Sequence, residues 1–126
     1  MLTLIMGKNN ALNKEFGVSL APSTPIIEYP ESGIHPAYHG HLADHHLVSF
    51  SPTVVITHSD EFILRVRRRI AEKTVSPECV ALYWVDENTG VGRRILLNER
   101  GTPDYWPEGF FAESQAEFMA IRRALN

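Results

Sequence analysis

The chain has one cysteine, Cys79, among its 126 residues, so an intrachain disulfide is excluded. A lone thiol in the apolar run CVAL, residues 79–82, is most simply a small buried hydrophobe, and we expect it inside the core. No apolar stretch reaches the roughly 18 residues of a membrane span. The apolar start MLTLIM has no leading positive region. We therefore expect no signal peptide, no membrane partner and a cytoplasmic location.

The chain has no large excess of positive or negative charge, since its formal net charge is −3. That balance gives no general attraction to nucleic acid or to anionic lipid. The arginines do cluster, at positions 65, 67, 68 and 69. A solvated helix face is the simpler interpretation of this cluster, and contact with nucleic-acid phosphates is the alternative.

A phosphate-binding loop is also missing from these 126 residues, since no Gly-x-x-x-x-Gly-Lys-Ser/Thr run occurs. Gly7 and Lys8 form the Gly-Lys dipeptide, but they have neither the upstream glycine nor a following Ser or Thr. A Leu-Ser-Gly-Gly type signature is absent as well. We expect poor phosphate affinity for the chain alone.

What is present fits one domain over residues 1–126, with 44% hydrophobic residues. The pattern predicts an α/β fold: a small, mostly parallel sheet with a strand-helix-strand core and a C-terminal hairpin, flanked by helices. Residues 1–23 stay poorly defined, because their turn formers leave strand and helix both open. The predicted strands cover 24–29, 53–57, 80–85 and 92–97, and the predicted helices cover 36–50, 60–72 and 113–125.

Three segments together resemble predicted ABC-type ATPases related to the overcoming-lysogenization-defect group. Residues 26–36, IIEYPESGIHP, resemble the Walker B region of that family, and residues 55–60, VITHSD, resemble its His-switch loop. Residues 104–111, DYWPEGFF, resemble the Asp-Trp-Pro-Glu-Gly-Phe-Phe motif of a C-terminal domain of unknown function that some members carry, with Tyr105 inserted. The resemblance covers roughly residues 19 to 112.

The resemblance implies a nucleotide site whose acid, Glu28, helps hold Mg²⁺, and whose histidine, His58, senses the γ-phosphate. Glu31 and Ser59 are implied as further nucleotide-binding residues. Tyr29 stands where active relatives usually have a catalytic Glu, and a phenol is a poor base at neutral pH. An ordinary strand-end acid and a structural histidine are the alternatives for Glu28 and His58. Because the two residues follow neighbouring parallel strands, we expect them within about 10 Å of each other.

Five histidines at or directly before the predicted helix 36–50 invite a metal interpretation, and His41 and His45 have the i, i+4 spacing that suits two ligands on one helix face. Asp44 is a third candidate ligand in a zinc site. A solvated helix face is the simpler interpretation. The histidines are His35, His39, His41, His45 and His46.

The three aromatic residues of the loop 106–111 are expected to pack on the sheet edge or on a partner. The leading hypothesis is a stand-alone C-terminal fragment of an ABC-type ATPase domain that needs no cofactor, hydrolyses nothing alone and acts as an interaction or assembly module. Its expected partner is a second copy or a P-loop ATPase. The alternatives are half of a split ATPase that completes an ATP–Mg²⁺ site in trans, and an inactive remnant.

Overall fold

The computed structural model describes residues 1–105, 107 and 112–126. These residues contain five strands and four α-helices, which alternate up to β4 and are then followed by β5 and the last helix, and two short 3-10 turns cover Pro36–Tyr38 and Pro77–Cys79. The strands are β1 (Leu2–Met6), β2 (Ile26–Glu28), β3 (Thr53–Ile56), β4 (Val80–Val85) and β5 (Gly92–Ile95). The helices are α1 (Asn10–Leu20), α2 (His39–Leu47), α3 (Asp60–Ala71) and α4 (Ala112–Leu125).

The strands form one sheet in the order β2-β3-β1-β4-β5. The first four strands run parallel, and β5 pairs antiparallel with β4 as a hairpin. This architecture confirms the predicted α/β fold with a mostly parallel sheet. The predicted strand-helix-strand unit is β2-α2-β3, with Ile26 opposite Val54 and Glu28 opposite Ile56.

Helices cover both faces of the sheet. On one face, α1 packs through Leu12 and Phe16 against a buried cluster formed by β1, β3 and β4. On the other face, α2 and α3 pack together over the larger apolar cluster. Burial on both faces explains why the parallel strands read as continuous apolar runs rather than as an alternating pattern.

Helix α3 follows directly from its sequence. Ser59 caps it by accepting a hydrogen bond from the Phe62 backbone N–H at 3.1 Å, as the sequence predicts. Phe62, Ile63, Val66 and Ile70 form the predicted apolar stripe, and all four are buried. The arginines lie beside this stripe, at the edges of the helix.

The first twenty residues, whose structure the sequence left open, form the centre of the sheet. Strand β1 lies between β3 and β4, and its Leu4 and Ile5 are fully buried. Helix α1 then begins after Asn9, whose side chain accepts from the Leu12 N–H at 3.1 Å. Gly17 lets α1 come close to the sheet, because an added Cβ there would lie 3.1 Å from Ile5 Cδ1.

Several predicted boundaries need correction. The predicted helix 36–50 is a 3-10 turn followed by the shorter α2, and the predicted strand 24–29 is reduced to the three residues of β2. The prediction that Cys79 is buried is wrong, since this thiol is exposed. The physical reason is that Cys79 ends the 3-10 turn before β4, and the buried positions begin at Val80. No helix in the described part of the chain is long and apolar enough to cross a membrane.

Candidate functional site

The candidate site lies where β1, β2 and β3 end at one edge of the sheet. Helix α1, which follows β1, and helix α3, which follows β3, lie on opposite faces of the sheet. Connections to opposite faces open a crevice at the carboxyl ends of neighbouring strands, where open α/β folds bind ligands. The sequence predicted that β2 and β3 are parallel neighbours, and this is confirmed.

Glu31 is the acid that organises this edge. Its carboxylate accepts from the Thr57 hydroxyl at 2.8 Å and from the His58 backbone N–H at 3.0 Å. Thr57 is fully buried, and its Oγ1 in turn accepts from the Ser59 N–H at 3.0 Å. Glu31 therefore joins the loop after β2 to the loop after β3.

The Glu28 side chain contacts helix α1 and not the loop after β3. Its side chain is exposed and forms an ion pair with Lys14 of α1, with 3.4 Å between Lys14 Nζ and Glu28 Oε2. Among the described contacts none joins Glu28 to His58. The two residues do lie at the ends of adjacent parallel strands, but the side chains that contact His58 are those of Asn10, Tyr29 and Glu31. Roles for Glu28 in Mg²⁺ binding and for His58 in sensing phosphate stay predictions.

Tyr29 covers His58. The two rings are stacked, with centroids 4.6 Å apart and planes inclined by 21°. The Tyr29 backbone has a φ of 48°, in the left-handed region that a non-glycine residue adopts at a cost of roughly 1 kcal/mol or more. This conformation turns the ring out of the normal strand alternation. Burial is the main cause that raises the pKa of Tyr29, and Glu28 and Glu31 add to it against an opposing hydrogen bond from Asn13, so the phenol stays protonated at neutral pH.

Asn10, the first residue of α1, connects the two rings. Its Oδ1 accepts from the Tyr29 hydroxyl at 2.8 Å and lies 2.8 Å from His58 Nε2. An amide oxygen only accepts hydrogen bonds, so with this amide orientation Nε2 carries the proton of His58. A residue from the segment that the sequence left undefined is therefore the centre of the site.

The turn between β1 and α1 is very tight. It consists of Gly7, Lys8 and Asn9. Asn13 Nδ2 donates to the Gly7 carbonyl at 2.9 Å, and no described residue bonds its buried Oδ1. A Cβ at Gly7 would lie 2.5 Å from Asn13 Oδ1 and 2.7 Å from the Val85 carbonyl oxygen. This turn therefore has no room for side-chain bulk at Gly7.

Ser59 is buried and its hydroxyl is already committed. Ser59 Oγ accepts from the Phe62 N–H and lies 2.7 Å from His39 Nδ1. His39 Nε2 lies 2.8 Å from the Ile34 carbonyl oxygen, which only accepts, so Nε2 carries the proton and the Ser59 hydroxyl donates to Nδ1. These bonds give Ser59 and His39 structural roles in joining α2 and α3. A nucleotide-binding role for Ser59 stays a prediction.

The histidine-rich helix and the arginine cluster meet in an ion-pair network. Asp44 on α2 pairs with Arg65 and Arg69 on α3, and Arg69 also pairs with Glu72 at 2.8 Å. Hydrogen bonds from Arg69 and then Arg65 hold the pKa of Asp44 below its usual value. The arginine face is thus partly paired rather than simply solvated. Among the described residues, no group of three or more His, Cys, Asp or Glu side chains is placed to hold a metal ion.

The motif at residues 104–111 is described only in part. Asp104 Oδ1 accepts from the Leu96 N–H at 2.9 Å, and the Asp104 N–H donates to the Leu96 carbonyl at 2.9 Å. Tyr105 packs against the larger apolar cluster. The expected packing of Trp106 and of the remaining residues 108–111 lies outside the described residues.

Comparison with known proteins adds no relative, since no family model, curated protein or solved structure matches this chain. Sequence reasoning missed Asn10, Asn13 and Thr57 as members of the site. One signal for Asn10 was present: the apolar run LTLIM is followed by Gly, Lys and two Asn residues, an order that suits a strand, a turn and a helix cap.

Proposed function

We propose that this chain is an interaction module equivalent to the C-terminal part of an ABC-type ATPase domain, and that it does not hydrolyse ATP by itself. The three family-like segments support the first half of this proposal. One observation carries the second half: His58 and Tyr29 are both hydrogen-bonded to Asn10. The Nε2–H of His58, the donor that would face a phosphate at this edge, is already bonded to Asn10.

The length of the β1–α1 turn supports the same conclusion. A phosphate-binding loop has eight residues, Gly-x-x-x-x-Gly-Lys-Ser/Thr, and its backbone N–H groups surround the phosphates. Here three residues, Gly7 to Asn9, connect the strand to the helix. The Asn9 side chain also takes up one of the free N–H groups at the start of α1. Few backbone N–H groups of this turn therefore remain to bind a triphosphate.

Phosphate release from ATP with Mg²⁺ tests this directly. We expect no turnover above background for the purified chain. The matched variants are Glu28→Ala and Glu15→Ala, both exposed acids, one at the end of β2 and one on α1. Turnover that is lost in Glu28→Ala and kept in Glu15→Ala would contradict the proposal.

The expected partner of the module is a second copy or a P-loop ATPase. Light scattering coupled to size exclusion gives the mass in solution, against 14.2 kDa for one chain. Self-association predicts a mass that rises toward a multiple of this value between micromolar and high micromolar concentration. A strictly monomeric species over that range removes the second copy from the proposal and leaves the P-loop protein.

A second candidate function is half of a split ATPase that completes an ATP–Mg²⁺ site in trans. The observation that favours it is the placement of Glu28 and His58 after adjacent parallel strands, at the edge where such folds bind ligands. The test mixes the chain with a P-loop protein encoded by a neighbouring gene. This function predicts ATP turnover that His58→Ala abolishes and the exposed control His41→Ala preserves. Binding without turnover supports the interaction module instead.

A further inference from the structure

The second half of the last helix, α4, is left uncovered by the described body of the protein. Every residue from Ala120 to Asn126 is exposed, and among them Ile121 is 57% and Leu125 81% exposed. Phe118, Ile121 and Leu125 follow one another at i, i+3 and i+7, the spacing of one apolar row along a helix. The Ile121–Leu125 part of this row therefore faces solvent.

A helix in this situation has little tertiary packing to stabilise it. Helix α4 has 14 residues, and isolated helices of about this length are marginal in water. Helix α3, which has 12 residues, buries its own apolar stripe completely. A partner that covers Ile121 and Leu125 would stabilise α4 in the same way.

The charges on either side of this row indicate which partner fits. Glu117 and Arg122 are both exposed, and five residues turn a helix by about 500°. The two side chains therefore flank the Ile121–Leu125 row on opposite sides. Residues five apart are not neighbours within one helix, where side-chain pairs join i to i+3 or i+4.

A second, parallel copy of α4 complements both charges. When two such helices lie side by side, Glu117 of one copy comes next to Arg122 of the other, as the g and e positions do in a two-stranded coiled coil. The two-fold axis produces this ion pair twice. In an antiparallel pair each side of the row meets the same side of the other copy, so acid and base are not matched.

We propose that α4 is a self-pairing helix, and that the α4 helices of two copies lie parallel. Ile121 and Leu125 form the shared apolar seam, and Glu117 of each copy pairs with Arg122 of the other. The inference rests on the proposed function, since it names the surface through which the interaction module binds a second copy.

Sedimentation equilibrium of the untagged chain measures this pairing. We expect a monomer–dimer equilibrium with a dissociation constant of about 100 µM. Arg122→Glu should weaken it about tenfold, because both ion pairs become repulsive. Arg123→Glu is the matched control, since it makes the same change of charge in the same last turn. Arg123 lies on the side of the helix away from the row, so this variant should pair like the wild type.

An exchange of the two charges tests the contact itself. Glu117→Arg alone should weaken the dimer about tenfold. Glu117→Arg and Arg122→Glu in the same chain should restore it, because the two ion pairs then form with their signs exchanged. Since positions 117 and 122 do not contact each other within one helix, this recovery reports a contact between two chains.

A cysteine at the last residue tests the orientation. In Cys79→Ser with Asn126→Cys, parallel pairing brings the two thiols together, and oxidised glutathione should convert the dimer to a disulfide-linked form. Antiparallel pairing would hold these thiols roughly 20 Å apart. Cys79→Ser with Val18→Cys places the thiol at an exposed position of α1 and should stay unlinked.

The proposal is overturned by equal weakening in the two arginine variants, by no recovery in the exchanged variant, or by no disulfide at residue 126. A chain that stays monomeric up to about 500 µM, well above the expected dissociation constant, would overturn it as well. ATP turnover by the chain alone would instead refute the proposed function and leave the pairing of α4 intact, so the two failures are distinguishable.

Discussion

Replacing Glu31 by Gln should destabilise the protein far more than replacing Glu28 by Gln. Glu31 accepts two hydrogen bonds, one from the buried Thr57 hydroxyl and one from the His58 N–H. The glutamine amide keeps one acceptor oxygen but turns an NH₂ group toward a second donor. Hydrogen bonds to a charged acceptor contribute about 1.5–3 kcal/mol each. Because Glu31 is half-buried, we expect a net loss of about 1–2 kcal/mol in the free energy of unfolding.

Glu28→Gln is the matched control, since it makes the same chemical change three residues earlier. Its single ion pair with Lys14 joins exposed side chains, so a loss of at most about 0.5 kcal/mol is expected. Urea unfolding at pH 7 measures both. The midpoint should fall by about 0.5–1 M for Glu31→Gln, with an unchanged slope, and should hardly move for Glu28→Gln. Equal shifts for the two variants would refute the assignment of Glu31 as the organising acid.

Three further predictions test the parts of the fold that carry the site. Phe62→Ala should lower the free energy of unfolding by about 3–5 kcal/mol in urea titrations, because this fully buried ring lies at the centre of the core. Ser59→Ala should cost about 1–2 kcal/mol in thermal unfolding, because the α3 cap and the His39 contact are lost together; an unchanged melting temperature would show that the cap contributes nothing. Asp44 has a lowered pKa, so its stabilising effect should be complete at pH values above its usual pKa of 3.8 and should disappear as the pH falls through the lowered value. Wild type should therefore lose more stability than Asp44→Asn as the pH falls from about 5 to about 2, a range that includes the usual pKa of an aspartate, and parallel pH profiles would contradict this.

The sequence was sufficient to predict those elements whose local residue pattern matches their burial in the structure. The β-branched run of β3 predicted a strand, and Ser59 followed by an apolar stripe predicted α3. The connection of β2 to β3 by one helix then predicted their parallel pairing. These elements needed no information from distant parts of the chain.

Strand β1 could not be identified in that way. Four apolar residues and one Thr fit a buried strand or one turn of a buried helix equally well, and the turn formers that follow allow either. The segment is a strand because it lies between β3 and β4 and forms backbone hydrogen bonds with both of them. This is a long-range pairing that no local pattern reports.

The identity of the organising acid was hidden for a related reason. The Walker B-like motif points to Glu28 because this residue ends the strand. Side chains of a strand alternate between its two faces, and the side chain of Glu28 lies on the face toward α1, where it pairs with Lys14. The left-handed backbone at Tyr29 changes the direction of the chain directly afterwards. As a result Glu31, three residues later, faces the loop after β3. A sequence shows residue spacing but not this backbone turn.

The same turn links the fold to the proposed lack of hydrolysis. Because Tyr29 leaves the strand direction, its ring lies on His58 and its hydroxyl reaches Asn10. Asn10 is held there by the tight Gly7–Asn9 turn, which in turn depends on a glycine that packs against Asn13 and the Val85 carbonyl. A phosphate that needs the Nε2–H of His58 must first break the bond of that N–H to Asn10. The residues that hold His58 in place are among those that join β1, β2 and β3, so freeing this N–H for a phosphate would cost contacts that hold the sheet edge together.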